Sequence, residues 1–83
     1  MSYTQRSVKL ATDGLVIDDR ATLHFADIRR SFIYQLAAGD TELTYAEFIL
    51  DNGHSVEINS AMDGWEQVLP ELPRRLPGLV DER

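Results

Sequence analysis

The two histidines, His24 and His54, are the side chains of this sequence best suited to catalysis or metal binding. His54 follows Asp51 across a predicted turn, and an imidazole and a carboxylate at that spacing can share a metal ion. No third ligand is indicated, and Ser55 beside His54 lacks the orienting group that a nucleophile and its base require. We therefore expect no metal, no cofactor and no enzymatic activity, and a solvent-facing His24.

Turns explain the adjacent aspartates and the glycines of this sequence better than a chemical role does. Asp18 and Asp19 are adjacent, so their carboxylates diverge in a turn or strand and do not share a proton. All five glycines fall at predicted turns or helix ends, which leaves no glycine-rich loop for a phosphate. The sequence has no cysteine, and this excludes disulfides and thiolate metal sites.

The distribution of charge is the most unusual feature of the sequence. Eight Lys and Arg residues against fourteen Asp and Glu residues give a net charge of -6, and no Lys or Arg occurs between Arg30 and Arg74. A solvated surface that keeps a small protein soluble explains such a window. An acidic face that meets a basic partner also explains it, because complementary charge speeds association. The window contains Asp40, Glu42, Glu47, Asp51, Glu57, Asp63, Glu66 and Glu71.

The basic residues include two couplets, Arg29-Arg30 and Arg74-Arg75. We interpret the couplets as salt-bridging groups, and Arg74 or Arg75 near the end of a predicted helix also interacts favourably with the helix dipole. An acidic chain without a basic stripe is repelled by phosphates. We therefore expect no binding to nucleic acid.

A predicted β-hairpin around Asp51-Asn52-Gly53 positions several of the carboxylates. A two-residue turn would pair Ile49 with Val56, whereas a three-residue loop with a left-handed Gly53 pairs Phe48 with Val56. We favour the three-residue loop because it separates apolar from charged side chains. The core face then carries Ala46, Phe48, Leu50, Val56 and Ile58, and the opposite face carries Glu47 and Glu57.

A helix is predicted to begin at Asp63, whose side chain can accept the amide hydrogen of Glu66 in a variant of the capping box. Pro70 and Pro73 each remove a backbone donor, so we expect either a kink or two short consecutive helices. Pro77-Gly78 ends the segment. Its apolar stripe consists of Trp65, Val68, Leu69, Leu72 and Leu76, with Trp65 as the anchor on the sheet.

The first part of the chain alternates between apolar and polar residues as short strands do, with turns at Asp13-Gly14 and Asp18-Asp19-Arg20. The whole pattern predicts an α+β fold, in which an antiparallel sheet or small open barrel of five to six strands precedes one proline-kinked C-terminal helix. A chain of 83 residues makes a single domain, residues 1–83. Its ordered core spans about residues 7–78, and a charged tail begins at Val80.

Three features follow one another along the chain: the bend Phe25-Ala26-Asp27-Ile28, the hairpin around Asp51-Asn52-Gly53, and the helix from Gly64-Trp65 to Leu72-Pro73. In this order they resemble small bacterial pleckstrin-homology-like (PH-like) proteins. The resemblance covers about residues 7–78 and implies a binding scaffold rather than a reaction. Lipid-binding members of the class hold phosphoinositides with Lys and Arg around the first turn. This chain has Asp13-Gly14 there, so the resemblance does not imply phosphoinositide binding.

These observations predict a non-enzymatic, protein-binding domain that presents an acidic face to a basic protein. One form of this hypothesis is an immunity or inhibitor protein that blocks a basic toxin or nuclease. The alternative is a structural homo-oligomer, such as a homodimer, that pairs through free sheet edges. The predicted partner-binding residues are Glu47, Glu57, Asp51, Glu66 and Glu71.

The sequence also bears on location. The first six residues lack the apolar stretch of a signal peptide. The longest nearly apolar run, residues 32–38, is too short to cross a bilayer. We therefore expect a cytoplasmic protein that does not bind membranes.

Overall fold

The structure is a computed structural model that describes residues 5–83, with Ala38 described by its backbone alone. Residues 1–4, which belong to the N-terminal stretch expected to lack a signal peptide, lie outside the described residues. The chain forms an α+β fold with a three-stranded sheet, a four-stranded sheet and a short C-terminal helical segment. The strands are β1 (Val8–Leu10), β2 (Gly14–Ile17), β3 (Ala21–His24), β4 (Ile28–Ala38), β5 (Thr41–Leu50), β6 (Ser55–Asn59) and β7 (Val80–Asp81). The helical segment comprises α1 (Trp65–Val68), a 3-10 turn (Leu69–Glu71) and α2 (Leu72–Arg75), and another 3-10 turn spans Phe25–Asp27.

β1, β2 and β3 form the three-stranded antiparallel sheet in chain order, which is the predicted meander. Asp18 and Asp19 turn the chain between β2 and β3 with left-handed φ angles of 55° and 56°, which aspartate adopts more readily than most residues. The Asp18 carboxylate accepts a hydrogen bond from the backbone amide of Ser7 at 3.0 Å. The predicted turn role of this acidic pair is confirmed.

β5 and β6 form the hairpin whose register the sequence leaves between two alternatives. Phe48 pairs with Val56 and Ala46 with Ile58, so the favoured three-residue loop is confirmed. Gly53 has a φ of 88°, the left-handed conformation that this loop requires and that glycine adopts at no steric cost. β5 pairs with β4 on its other side, and the four-stranded sheet has the order β6-β5-β4-β7.

The short strand β7 pairs in parallel with Phe32 and Ile33 of β4. The sequence analysis expects a charged tail here, and five or six strands in one antiparallel sheet or open barrel. The structure has seven strands in two sheets, so this part of the prediction is wrong. The two residues of β7 are too few to show an alternation of apolar and polar side chains in the sequence. Backbone contacts hold β7 beside β4, including a 2.7 Å hydrogen bond from the Glu82 amide to the Ile33 carbonyl.

The N-cap residue of α1 is Gly64 rather than Asp63, and the predicted side-chain cap is absent. Gly64 has a φ of 90°, and a Cβ atom at this position would collide with the carbonyl oxygen of Val8. The Asp63 backbone instead forms a parallel bridge with Ser7 and accepts a hydrogen bond from the Val8 amide at 2.8 Å. The capping prediction is wrong because a contact distant in sequence already fixes this end of the helix.

Two short α-helices joined by a 3-10 turn carry the predicted apolar stripe, which is one of the two expected outcomes. Pro70 and Pro73 each lie in the first turn of the element that they open, where the missing backbone donor has no intrahelical partner to lose. The Leu76 amide still donates to the Leu72 carbonyl at 2.8 Å, and the helix ends before Pro77.

One hydrophobic cluster joins both sheets and the helical segment. Trp65 is 5% exposed, which agrees with its predicted role as the anchor of the helix. Leu50, Val56 and Leu69, which are predicted core residues, are partly buried against this cluster. Its buried members are Val8, Leu15, Ile17, Leu23, Ile33, Ala46, Phe48, Ile58, Met62, Trp65, Val68, Leu72 and Leu76.

Candidate binding surfaces

The side of the four-stranded sheet that points away from the core is the first candidate surface. Ala46 and Phe48 of β5 are fully buried, so the residues that alternate with them face outward. We call this surface the outer face. Leu36 and Val80 are its most exposed apolar side chains, at 53% and 47%. The outer face consists of Arg30, Phe32, Tyr34, Leu36, Leu43, Tyr45, Glu47, Ile49, Glu57 and Val80.

Glu47 and Glu57 stand directly opposite each other on β5 and β6. Two carboxylates at such cross-strand positions repel and destabilise a sheet. Neither forms an ion pair with a Lys or Arg among the described residues. The outer face therefore holds two adjacent negative charges that the described part of the chain does not neutralise.

Aromatic side chains lie beside this carboxylate pair. Tyr34 and Tyr45 are direct cross-strand partners, and their rings stack with centroids 5.6 Å apart and planes 12° apart. The Tyr34 hydroxyl donates to Glu57 Oε2 at 2.7 Å. This hydrogen bond, then burial and the negative charge of Glu57, raise the pKa of Tyr34 well above its usual value. Carboxylate acceptors beside aromatic rings are suited to a cationic side chain.

The five predicted partner-binding residues do not form one surface. Glu47 and Glu57 lie together on the outer face, and Asp51 is exposed in the loop at the end of the same hairpin. Glu66 and Glu71 belong to the helical segment, which packs on the core side of the sheet. Glu71 also pairs with Arg74 at 3.7 Å. The structure thus separates the acidic window into a hairpin group and a helix group.

The histidines lie apart from both groups. His24 is exposed, and its Nδ1 lies 3.6 Å from Asp13 Oδ2. His54 is exposed after the hairpin loop, where its backbone amide donates to Asn52 Oδ1 at 3.0 Å. Within residues 5–83, no three His, Asp or Glu side chains converge as metal ligands would.

A second candidate surface is a cleft that the sequence analysis missed. We call it the arginine cleft, because Arg29, Arg30 and Arg75 line it together with apolar residues of the 3-10 turn and the chain after α2. Its volume is about 200 Å³. The two couplets were visible in the sequence, but their separation by more than forty residues gave no sign that they meet. The stacking of Tyr34 on Tyr45 on the outer face was likewise not visible in the sequence, which shows only that apolar and polar residues alternate in β4.

No family model, curated protein or solved structure matches this chain significantly. The resemblance to PH-like proteins therefore stays a prediction. None of the helices in the described residues has the length and apolar character that a transmembrane span requires. The fold and the two surfaces are the basis for any functional assignment.

Proposed function

We propose that this chain is a protein-binding domain whose outer face receives a cationic segment of a basic protein. The observation that carries the proposal is the cross-strand pair Glu47 and Glu57, which has no cationic partner among the described residues and adjoins the Tyr34–Tyr45 stack. A lysine or arginine from a partner would relieve the repulsion between the carboxylates and contact an aromatic ring.

The apolar part of the outer face supports the same proposal. Phe32 and Tyr45 are only partly buried, and Leu36 and Val80 are about half exposed. Interfaces owe most of their binding energy to a few large aromatic and arginine anchors surrounded by weaker contacts. The negative net charge of the chain would steer a basic partner towards it and speed association. An inhibitor or immunity protein that blocks a basic toxin or nuclease is one member of this class.

A PH-like arrangement is the fold that we propose for this scaffold. The bend at Phe25–Asp27, the hairpin of β5 and β6 and the closing helical segment support it, in the order given by the sequence. PH-like proteins of this size are expected to act as binding scaffolds. The fold proposal does not select the partner, which depends on the outer face.

Homo-oligomerisation through a sheet edge is a second candidate function. β7 pairs with only Phe32 and Ile33, so residues 34–38 of β4 have no strand on that side among the described residues. Free backbone groups at an edge can pair with a second copy. Sedimentation of the full chain at micromolar concentration tests this, since a monomer at all concentrations would contradict a stable dimer.

Titration of the isotope-labelled chain with a lysine- and arginine-rich peptide tests the main proposal. We expect saturable chemical-shift changes at Tyr34, Tyr45, Glu47 and Glu57. The double variant Glu47→Gln/Glu57→Gln should weaken binding by about tenfold, since two charge-assisted contacts are lost.

The matched control removes the same number of charges from the helix group, as Glu66→Gln/Glu71→Gln. It should weaken binding by less than about twofold, because those residues lie off the outer face and act only through screened, long-range attraction. Equal losses in the two double variants would show nonspecific attraction to an acidic protein and would overturn the proposal.

A further inference from the structure

The beginning of β4 has an irregularity that brings two arginines to one place. β4 and β5 pair Ile28 with Leu50 and then Arg30 with Ile49, so Arg29 is an extra residue in a β-bulge. A bulge leaves one residue out of the ladder and changes the direction of neighbouring side chains, and bulges are common beside binding sites. Arg29 and Arg30 both line the arginine cleft, and Arg30, which pairs with Ile49, lies where the cleft meets the outer face.

Arg75 also lines the cleft, and two contacts orient its side chain. Its Nη1 donates to the Thr12 carbonyl at 2.8 Å. Its guanidinium carbon lies 5.7 Å from the centroid of the Phe25 ring, within the range of a cation–π contact. One of the five guanidinium N–H groups is used in this way, and the others stay available to a ligand. A guanidinium held before binding loses less entropy when an anion arrives.

These three arginines have no carboxylate partner within ion-pair distance among residues 5–83. Arg6, Lys9, Arg74 and Arg83 each pair with a carboxylate at 4 Å or less. The remaining basic side chains are Arg20 and the three that line the cleft. Convergence of unpaired cations is unfavourable without an anion, and it is unexpected where acidic residues outnumber basic ones by fourteen to eight.

Asp81, a carboxylate close in the chain to the cleft, is already paired with another residue. Asp81 follows Val80 in β7 and accepts two hydrogen bonds from the side chain of Arg83, at 3.0 and 2.7 Å. These bonds hold the pKa of Asp81 at about 2, far below its usual range. Asp81 is therefore paired locally and does not neutralise the arginine cleft.

A neighbouring cleft extends the site on an apolar side. Its volume is about 310 Å³, and it shares Arg29, Arg30 and Gly78 with the arginine cleft. Phe32 and Val80 line its far side. Ser31, which is 4% exposed, contributes to the walls of both clefts. Cationic and apolar walls thus lie side by side.

We infer that the arginine cleft binds the phosphate of a small organic phosphate monoester, with the organic group in the neighbouring cleft against Phe32 and Val80. Guanidinium groups match phosphate oxygens in charge and geometry, and bind them in bidentate fashion. Three guanidinium groups favour a dianion over a singly charged carboxylate. This site borders the outer face at Phe32 and Val80, but the inference does not rest on the proposed function, which concerns Glu47 and Glu57.

Titration of the isotope-labelled full chain with phenyl phosphate and with inorganic phosphate tests the inference. We expect saturable shift changes at Arg29, Arg30, Ser31 and Gly78. Phenyl phosphate should bind more tightly than inorganic phosphate because its ring adds apolar contacts. Equal affinities would overturn the assignment of the neighbouring cleft, and changes that never saturate would overturn the phosphate site itself.

Charge-matched variants show whether the site is specific. Arg29→Gln and Arg30→Gln should each weaken phenyl phosphate binding by about tenfold, as expected for the loss of a charge-assisted hydrogen bond. Arg20→Gln removes the same charge from an exposed arginine outside the cleft and should cost less than about twofold. If Arg20→Gln weakened binding as much as Arg29→Gln, general electrostatic attraction would explain it and the inference would fail.

Two further measurements separate a phosphate site from a loosely cationic surface. Arg75→Lys keeps the charge but loses the planar, forked guanidinium group, so it should weaken binding. The amide chemical shifts should still be those of the folded chain. The second pKa of a phosphate monoester is about 6. Affinity should therefore rise between about pH 5 and about pH 8 as the dianion forms. An unchanged affinity over that range would contradict binding of the dianion.

Discussion

The outer face and the arginine cleft share one strand and have opposite electrostatics. Along β4, Phe32 and Tyr34 belong to the outer face, Arg29 lines the cleft, and Arg30 lies where the two surfaces meet. Glu47 and Glu57 on the outer face have no Lys or Arg within ion-pair distance, and the three arginines of the cleft have no carboxylate within that distance, among the described residues. The other basic residues, apart from Arg20, each lie within 4 Å of a carboxylate. The two surfaces would therefore suit ligands of opposite sign.

A common core supports both surfaces, and its loss should have the largest effect. Phe48 is fully buried in β5, so Phe48→Ala should lower the free energy of unfolding by about 3–5 kcal/mol. Phe32 lies on the outer face of the adjacent strand and is only partly buried, so Phe32→Ala is the matched control and should cost clearly less. Urea denaturation measures both. Equal costs would contradict the assignment of inner and outer faces.

The tyrosine beside the carboxylate pair should show the electrostatics of the outer face directly. The raised pKa of Tyr34 predicts that its phenol ionises at higher pH than an ordinary tyrosine, in an ultraviolet absorbance titration. Glu57→Gln should bring the pKa of Tyr34 closer to its usual value of about 10, because the charged acceptor is lost. The variant Tyr34→Phe identifies which part of the absorbance change comes from Tyr34. An unchanged titration in Glu57→Gln would contradict the hydrogen bond.

The same hydrogen bond predicts how stability changes at high pH. The pKa of Tyr34 is higher in the folded than in the unfolded chain, so its contribution is complete below about pH 10 and is lost as pH rises above that value. Tyr34→Phe should lower the free energy of unfolding at neutral pH by about 0.5–1.5 kcal/mol. The difference between the two proteins should shrink in alkaline solution, measured by urea denaturation at each pH.

Local alternation predicted the hairpin correctly but not the cleft. The spacing of Phe48 and Val56 around Gly53 was sufficient to fix the register, because a one-residue shift would have placed Glu57 on the same face as Phe48. The cleft depends on a bulge at Arg29 and on the return of the chain after α2, and neither leaves a periodic signal. The cap at Asp63 failed for the same reason, since a contact with Ser7 decides it.

Relief of the repulsion between Glu47 and Glu57 should raise the free energy of unfolding, by less than the loss of Phe48 lowers it. Glu47→Gln removes one of two directly opposed carboxylates, so it should raise the free energy of unfolding by about 0.2–1 kcal/mol. Added salt should reduce the difference between the two proteins, because it screens the repulsion. Glu42→Gln, at an exposed position that pairs with Ala37, is the matched control and should have little effect. A loss of stability in Glu47→Gln would show that the carboxylate makes a favourable contact.

The smallest predicted effect lies where the two surfaces meet. Arg30 pairs with Ile49, and Glu47 pairs with Phe32, so Arg30 and Glu47 are diagonal neighbours on β4 and β5. They form no ion pair within 4 Å, although long side chains can reach across such a diagonal. A double-mutant cycle with Arg30→Gln and Glu47→Gln should therefore give a coupling energy below about 0.3 kcal/mol. A favourable coupling of about 1 kcal/mol would mean that Arg30 neutralises Glu47 in solution. The outer face would then hold one unpaired carboxylate, the cleft would lose one of its three cations, and the contrast between the two surfaces would not hold.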